Sequence, residues 1–475
     1  MYGLYRGFHP TLTIADADLL KTILISDFHL FANRAKLNTY DSLWNENVFN
    51  APDVHWKRIR TIVSPSFSSG KLRAMQRLMG DCVQKLVDYF EKTASGDGIF
   101  SPKEVMAGYT IDVIASTSFA TETNANGTDS HGNSFVRNGL ALFRMNPLKI
   151  LSFLLMPRWV NDLFGVRIQF PDPPFRFFEK LAREIVKQRK EALNSKTQQS
   201  SSKNDFVQLL MNASVGEGEL KDGDYSKLTA NADNDVEITE SLSEATSSKK
   251  PSSKQKLSDL EVIGQSVFFL IAGFETSSSV LHHIIFELAL HEDVQERLSE
   301  DLQNSLKRFG GDTSSAEYFD TVMNGVPYLE AVVKEGLRKY PPLTRVERRC
   351  AVDGYKLGDT GITLEKDQHI EVPLWAVHHC EEYYPEPEAF KPERFLPENK
   401  HLLVQHAYMP FGMGPKNCLG TRFAYQEIKL CLAQVVSRFR FSATVDTPPV
   451  ELSYKKSTLL LNSLPFTVRV SKRAF

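Results

Sequence analysis

The stretch from Val262 to Leu290 constrains this chain more than any other. It reads as one helix, and at its middle it is apolar on nearly every face, so it belongs to a protein interior. At 1.5 Å per residue it is roughly 40 Å long. The chain has 475 residues, which at about 150 residues per domain is about three domains or one large fold. Apolar residues make up 42% and charged residues 24%, as in soluble globular proteins. That excludes collagen, a coiled-coil rod and a wholly disordered chain. The 31 phenylalanines favour a large aromatic interior, and the 23 prolines favour many turns.

Lysine plus arginine is 56 and aspartate plus glutamate is 58, for a net charge of −2. No basic excess points to nucleic acid. The five cysteines, Cys82, Cys350, Cys380, Cys418 and Cys431, are scattered and odd in number. A disulfide framework is not expected, and a reducing compartment is. Without a Cys-x-x-Cys pair there is no signature of structural zinc. The chain as given shows no signal peptide. The longest apolar runs, Leu148–Met156 and Val262–Gly273, fall short of the roughly 20 residues that span a bilayer.

Along the chain, helical and extended patterns alternate. Tyr5–Ile14 reads as two short strands around His9-Pro10, and Asp16–Ser26, Trp56–Val63 and Lys71–Lys92 as helices. Ser101-Pro102-Lys103-Glu104 predicts a helix start with Ser101 as cap, the helix running to about Phe119. Leu148–Phe170 is either a packed helix pair or a surface that dips into a membrane. Asn204–Ala213 reads as a helix. Residues 215–255 are rich in Ser, Thr, Lys, Glu, Asp and Asn and predict a disordered insertion. Ser258 to Glu261 can cap the long helix. Pro327–Arg338 and Thr421–Arg438 predict helices, and Val352–Leu357, Ile362–Leu364, Ile370–Pro373 and Leu459–Val470 predict strands. The fold class is mainly α with small β-sheets, in a single domain over 1–475.

Four constellations carry chemistry. In Phe411-Gly-Met-Gly-Pro-Lys-Asn-Cys418-Leu-Gly420, an irregular glycine loop delivers a cysteine to a helix N-terminus, where backbone N–H groups favour a thiolate. A thiolate is a strong axial ligand for haem iron. Glu335 and Arg338 share a helix face, and Pro392-Glu393-Arg394-Phe395 offers another arginine. The pair is either a surface salt bridge or part of a buried network under a cofactor. Ala272-Gly273-Phe274-Glu275-Thr276 interrupts the apolar helix. Gly273 can admit a ligand, and Glu275 with Thr276 can relay protons. Alternatively, Thr276 bonds back to a carbonyl and Glu275 pairs locally. Trp56 and Arg60 lie four apart, as anion donors or as part of a basic amphipathic helix.

Together these elements, in this order, resemble a cytochrome P450 of the eukaryotic microsomal class, near the 3A-type and thromboxane-synthase-like clan. The resemblance runs from about Met1 to Val470, broken mainly at 215–255. It implies the P450 fold, haem b with Cys418 as proximal thiolate, and an acid–alcohol pair in Glu275 and Thr276. It implies a network of Glu335, Arg338 and Arg394, and contacts to the haem from Trp56, Arg60, Arg34, Arg348, Lys416, Phe411 and Gly414. Phe268, Ile271, Ala272 and Leu343 match substrate-lining positions. The implied reaction is insertion of one oxygen atom from O2 into a hydrophobic small molecule, with electrons from NADPH through a separate reductase. Cytochrome b5 is a further expected partner. The reductase is expected to meet Lys57, Arg58, Lys416 and Lys429 on the cysteine side. The implied location is the endoplasmic reticulum membrane at its cytoplasmic face, although the chain begins beyond the family's anchor and hinge. Lys416 stands where the family usually has arginine, and loses the planar fork. Two alternatives are a haem-thiolate isomerase of fatty-acid peroxides, which needs no reductase, and a non-catalytic haem- or lipid-binding protein. Glu275-Thr276 argues for O2 activation.

Overall fold

The computed structural model describes residues 1–6, 9–34, 42–126, 133–142, 172–194, 205–216, 254–455 and 460–473, with a few positions between 152 and 164. Helices dominate. The ones that build the site are α1 (Asp53–Val63), α2 (Gln76–Ala94), α3 (Pro102–Phe119), α4 (Asp259–Leu290), α5 (Pro327–Lys339) and α6 (Thr421–Arg438).

Helix α4 starts with a full capping box. The Ser258 side chain accepts from the Glu261 N–H and the Glu261 carboxylate accepts from the Ser258 N–H, which satisfies two otherwise orphaned donors. By length and composition α4 can cross a membrane, but 78% of its apolar window is buried inside the protein. It is a core helix. Helix α3 lies against it, and the Thr110 hydroxyl donates to the Phe274 carbonyl across the contact (3.0 Å). Gly273 makes that approach possible. A Cβ there would sit 2.8 Å from Ile114 Cδ1. The neighbouring helix is therefore one close partner of Gly273.

The expected cap at Ser101 is not made by its side chain. Pro102 occupies the first helical position, and the Ser101 carbonyl accepts from the Val105 N–H (3.2 Å). The expected helix at Lys71–Lys92 is broken after Arg73, and α2 begins at Gln76.

A four-stranded sheet has the order β1 (Tyr2–Arg6), β2 (His9–Thr13), β9 (His369–Val372), β6 (Val346–Arg349). The β1–β2 and β6–β9 pairs are antiparallel, and β2–β9 is parallel. His9 and Pro10 open β2 rather than forming the turn, and Pro10 stands opposite Tyr5. A proline is tolerated at the start of a strand, where a missing N–H costs little. Arg6 of β1 ties the sheet together by ion pairs to Glu347 and Glu371.

Small antiparallel ladders complete the fold. They are β3 (Ile99–Phe100) with β11 (Val468–Lys472) and β10 (Phe439–Ala443), β4 (Ser214–Gly216) with β5 (Lys254–Lys256), and β7 (Tyr355–Lys356) with β8 (Thr363–Leu364). The ends of the expected 215–255 insertion are thus paired strand, and 217–253 lies outside the described residues. Most of Leu148–Phe170 also lies outside them, and within it Met156, Leu163 and Phe164 are exposed. Of the expected Leu459–Val470 strands, 468–470 belong to β11, while 460–467 carry only single bridges, Leu343 with Leu460 and Tyr454 with Ser463.

Candidate active site

The loop that ends at Cys418 is held by its own backbone. The Gly412 N–H donates to Met409 (2.9 Å), the Asn417 N–H to Gly414 (3.0 Å) and the Cys418 N–H to Phe411 (2.7 Å). Gly412 and Gly414 have φ of 74° and 70°, which favours glycine. Phe411 packs tilted on Tyr425 of α6 (5.4 Å). Cys418 retains accessible surface, yet burial is the largest influence on its thiol and pushes its pKa up. The Gly420 N–H, Arg60, Thr421 and Arg34 pull the other way without prevailing. The expected thiolate-favouring effect of the helix start is therefore outweighed in the protein alone.

Two guanidinium groups, Arg34 and Arg60, act on that thiol, and a third, Arg348, lies close enough to Arg34 to repel it; the three come from three different segments. Arg60 of α1 donates to the Asn417 carbonyl (3.1 Å) and side chain (2.7 Å). Arg34 donates to the Phe49 carbonyl (2.6 Å) and lies 3.9 Å from the Phe49 ring centre. Arg348 of β6 donates to the Glu347 carbonyl (2.9 Å). Burial pushes Arg34 down to about 9, helped by repulsion from Arg348 and Arg60. Burial also takes Arg60 and Arg348 down to about 10. The Nε atoms of Arg60 and Arg348 are buried without a hydrogen-bond partner. Among the described residues no carboxylate pairs with any of the three. Buried like charges without a counter-ion are costly, so this arrangement is suited to an anionic ligand.

Trp56 is fully buried against Phe28 (5.8 Å), and the buried Lys416 ammonium lies 4.6 Å from its ring centre. That geometry suits a cation–π contact. The other expected reductase-facing cations also turn inward. Lys57 and Lys429 are buried, Lys429 donates to the Met323 carbonyl (2.6 Å) and pairs with Glu330, and Arg58 pairs with Glu261. The four do not form an exposed basic patch, because their long stems fill the packing between helices.

On α4, Glu275 is buried and Thr276 donates its hydroxyl to the Ala272 carbonyl (2.5 Å). Burial pushes Glu275 up to about 7, with Lys103 and Lys455 opposing the shift. Phe268 stacks on Phe49 (5.6 Å) and meets Trp44 edge-on (6.0 Å). Ile271 is buried, and Ala272 and Leu343 are partly buried, Leu343 on the separate segment bridged to Leu460.

Glu335 and Arg338 are both fully buried. Arg338 grips Glu335 through Nε (2.8 Å) and a terminal nitrogen (2.9 Å), and donates to the His378 (3.0 Å) and Ala389 (3.3 Å) carbonyls. The Lys391 N–H donates to Glu335 (2.8 Å), and Arg394 Nε stands 3.5 Å from it. The structure thus brings all three expected network residues together. Sequence reasoning missed His378. Its Nε2 accepts from the Met409 N–H (3.0 Å), so Nδ1 carries the proton towards the Arg338 carbonyl (3.2 Å). It ties the network to the start of the cysteine loop. Asn417, the clamp on Arg60, was also missed. Both act through contacts from remote segments and leave no local pattern.

A model of the family "Cytochrome P450" matches residues 1–470. The chain belongs to the cytochrome P450 family. It is 33% identical over 477 residues to cytochrome P450 3A7 of Homo sapiens, covering 100% of this chain and 85% of the relative. It is 31% identical over 471 residues to cytochrome P450 6k1 of Blattella germanica, covering 98% and 84%. It is 31% identical over 478 residues to lithocholate 6-beta-hydroxylase of Mesocricetus auratus, covering 100% and 85%. This P450 is a monooxygenase that uses a thiolate-ligated haem b, O2, and electrons from NADPH through a separate reductase, to oxidise a hydrophobic small molecule. The isomerase and non-catalytic alternatives are not favoured. The residues fit the cofactor: a soft sulfur donor for the iron, and three buried guanidiniums suited to two carboxylates.

Proposed function

We propose that Cys418 is the proximal iron ligand and that Arg34, Arg60 and Arg348 hold the haem propionates, with Trp56 and Lys416 supporting them. The observation that carries this reading is a set of three buried guanidiniums, none paired with a carboxylate among the described residues, of which Arg34 and Arg60 act on the Cys418 thiol and Arg348 lies near Arg34. Bound haem supplies the iron that activates O2. A thiol is deprotonated by the metal that it coordinates, which overrides the burial that favours the protonated form. Glu335, Arg338 and Arg394 lock the segment before the cysteine loop, with His378 as the link.

Glu275 is a proton donor in this reading, since an acid poised near neutrality both gives and regains a proton readily. Thr276 spends its O–H on Ala272. Its Oγ1 lone pairs can still accept, so the hydroxyl orients a donor and delivers a proton itself only after rotating. Phe268, Ile271, Ala272 and Leu343 line the substrate space. The apolar exposed side chains Met156, Leu163 and Phe164 support attachment to a membrane surface. We place the protein at the endoplasmic reticulum, cytoplasmic face, with cytochrome b5 as a second electron donor.

The test is the spectrum of the dithionite-reduced protein under carbon monoxide, with parent and Cys418→Ser side by side. The parent is expected to give a strongly red-shifted Soret band and the variant to lose it. A red-shifted band that survives Cys418→Ser would sink the assignment. NADPH-dependent turnover with a reductase separates oxidation from isomerisation.

A further inference from the structure

Three ligand-type side chains converge from three segments, and none of them belongs to the haem-holding set. Glu46 follows the one-turn helix Ser42–Asn45, His55 stands in the first turn of α1, and Glu261 in the first turn of α4. His55 Nε2 is 2.7 Å from Glu46 Oε2 and 3.5 Å from Glu261 Oε1. One oxygen of each carboxylate and one ring nitrogen lie within 4.8 Å of one another, and among the described residues no other three His, Cys, Asp or Glu side chains do so. The three are far apart in sequence and show no spacing motif.

Both acids are held from behind. Glu261 Oε2 accepts from the Ser258 N–H (2.7 Å), which leaves Oε1 turned towards His55. The Glu46 carbonyl accepts from the side chain of the buried Gln265 (2.7 Å), whose oxygen accepts from the Val48 N–H (2.8 Å). Glu261 is buried, while His55 and Glu46 keep partial access to solvent. Ligands oriented by further hydrogen bonds, with one side open to water, suit a bound metal ion.

We propose that Glu46, His55 and Glu261 bind a zinc ion. One imidazole nitrogen and two carboxylate oxygens are a zinc donor set, and water completes four-coordination. Donors about 2.0–2.1 Å from a tetrahedral ion stand roughly 3.3 Å apart. The His55–Glu261 separation of 3.5 Å is already close to that, and Glu46 has to draw back from His55. The ion takes the lone pair of Nε2, so a proton held there leaves for solvent or for Nδ1. Arg58 competes for the same acid. It pairs with Glu261 Oε1 and reaches the Lys256 carbonyl (3.4 Å). Zinc displaces it from that oxygen, and the partly exposed guanidinium turns to water. Magnesium and calcium fit less well, since they favour all-oxygen ligand sets.

The test is equilibrium dialysis of the haem-loaded protein against zinc at neutral pH, with bound zinc counted per haem by elemental analysis. The parent is expected to hold one more zinc per haem than His55→Ala and one more than Glu46→Gln. Both residues are partly exposed, and counting per haem restricts the comparison to folded protein. Arg58→Gln removes the competing cation and is expected to tighten zinc binding several-fold. Equal zinc content in the parent and the two ligand variants overturns the proposal, and so does zinc that an equal concentration of magnesium displaces. Unchanged or weaker binding in Arg58→Gln would mean that the ion does not reach Glu261, and overturns the three-ligand site.

Discussion

Gly414 answers to two constraints at once. Its φ is 70°, and a Cβ built on it would lie 1.8 Å from the Leu24 carbonyl oxygen, a backbone atom that cannot swing aside. Gly414→Ala is therefore expected to cost at least about 1–3 kcal/mol from backbone strain alone. Urea unfolding measures it, and the variant is expected to release haem more readily because the loop carries Cys418. The loop was legible at residue scale because glycine, proline and cysteine have unusual chemistry and leave a mark wherever they stand. His378 and Asn417 were not legible. A histidine or asparagine acquires its role from what lies across the contact, here Arg338 with Met409 and Arg60 respectively. Thr276 lay between: its bond back to Ala272 was one of the two arrangements expected from sequence, and it does not exclude a role beside Glu275.

Among elements, the Glu335–Arg338 pair joins α5 to the irregular segment that leads towards the cysteine loop. Two parallel N–H···O bonds to a fully buried carboxylate, with carbonyls taking the remaining donors, fix that segment in one place. Removing one partner strands the other charge in a dry interior. Arg338→Leu is expected to destabilise by about 3–5 kcal/mol, read by urea unfolding, and to abolish the red-shifted carbon monoxide band. A stable variant with an intact band would show that packing alone holds the segment. Spacing placed Glu335 and Arg338 on one helical face, and spacing alone cannot separate a surface pair from a buried one. Helix ends followed the same division. The Ser258 capping box formed as its residues suggested, whereas Ser101 stands before a helix and makes no side-chain cap.

At the scale of the whole molecule, stability is tied to a carboxyl group far from any surface. Glu427 of α6 is fully buried, with Ser277 beside its carboxylate and the Tyr109 hydroxyl bound to its backbone carbonyl (3.0 Å). Burial pushes it up to about 8 from an ordinary 4.5, and Ser277 offsets little of this. Between these values the folded protein holds a proton that the unfolded chain has lost. The stability this contributes is complete below pH 4.5 and is lost as pH rises towards 8. Glu427→Gln, which mimics the neutral acid, is expected to remove about 1.4 kcal/mol per pH unit from the downward slope of stability in that window. Urea unfolding at several pH values reads it, and parallel slopes for parent and variant would refute it. By itself, the sequence determined the long buried helix, the last helix at Thr421–Arg438, the cysteine loop and the family, because local periodicity and rare residues survive without a fold. Only the tertiary structure decided which charges are buried. It turned Lys57, Lys416 and Lys429 inward, drew Arg34 and Arg60 to one thiol with Arg348 near Arg34, and set Gly273 against Ile114. Burial and proximity belong to segments far apart in the chain, and no local pattern carries them.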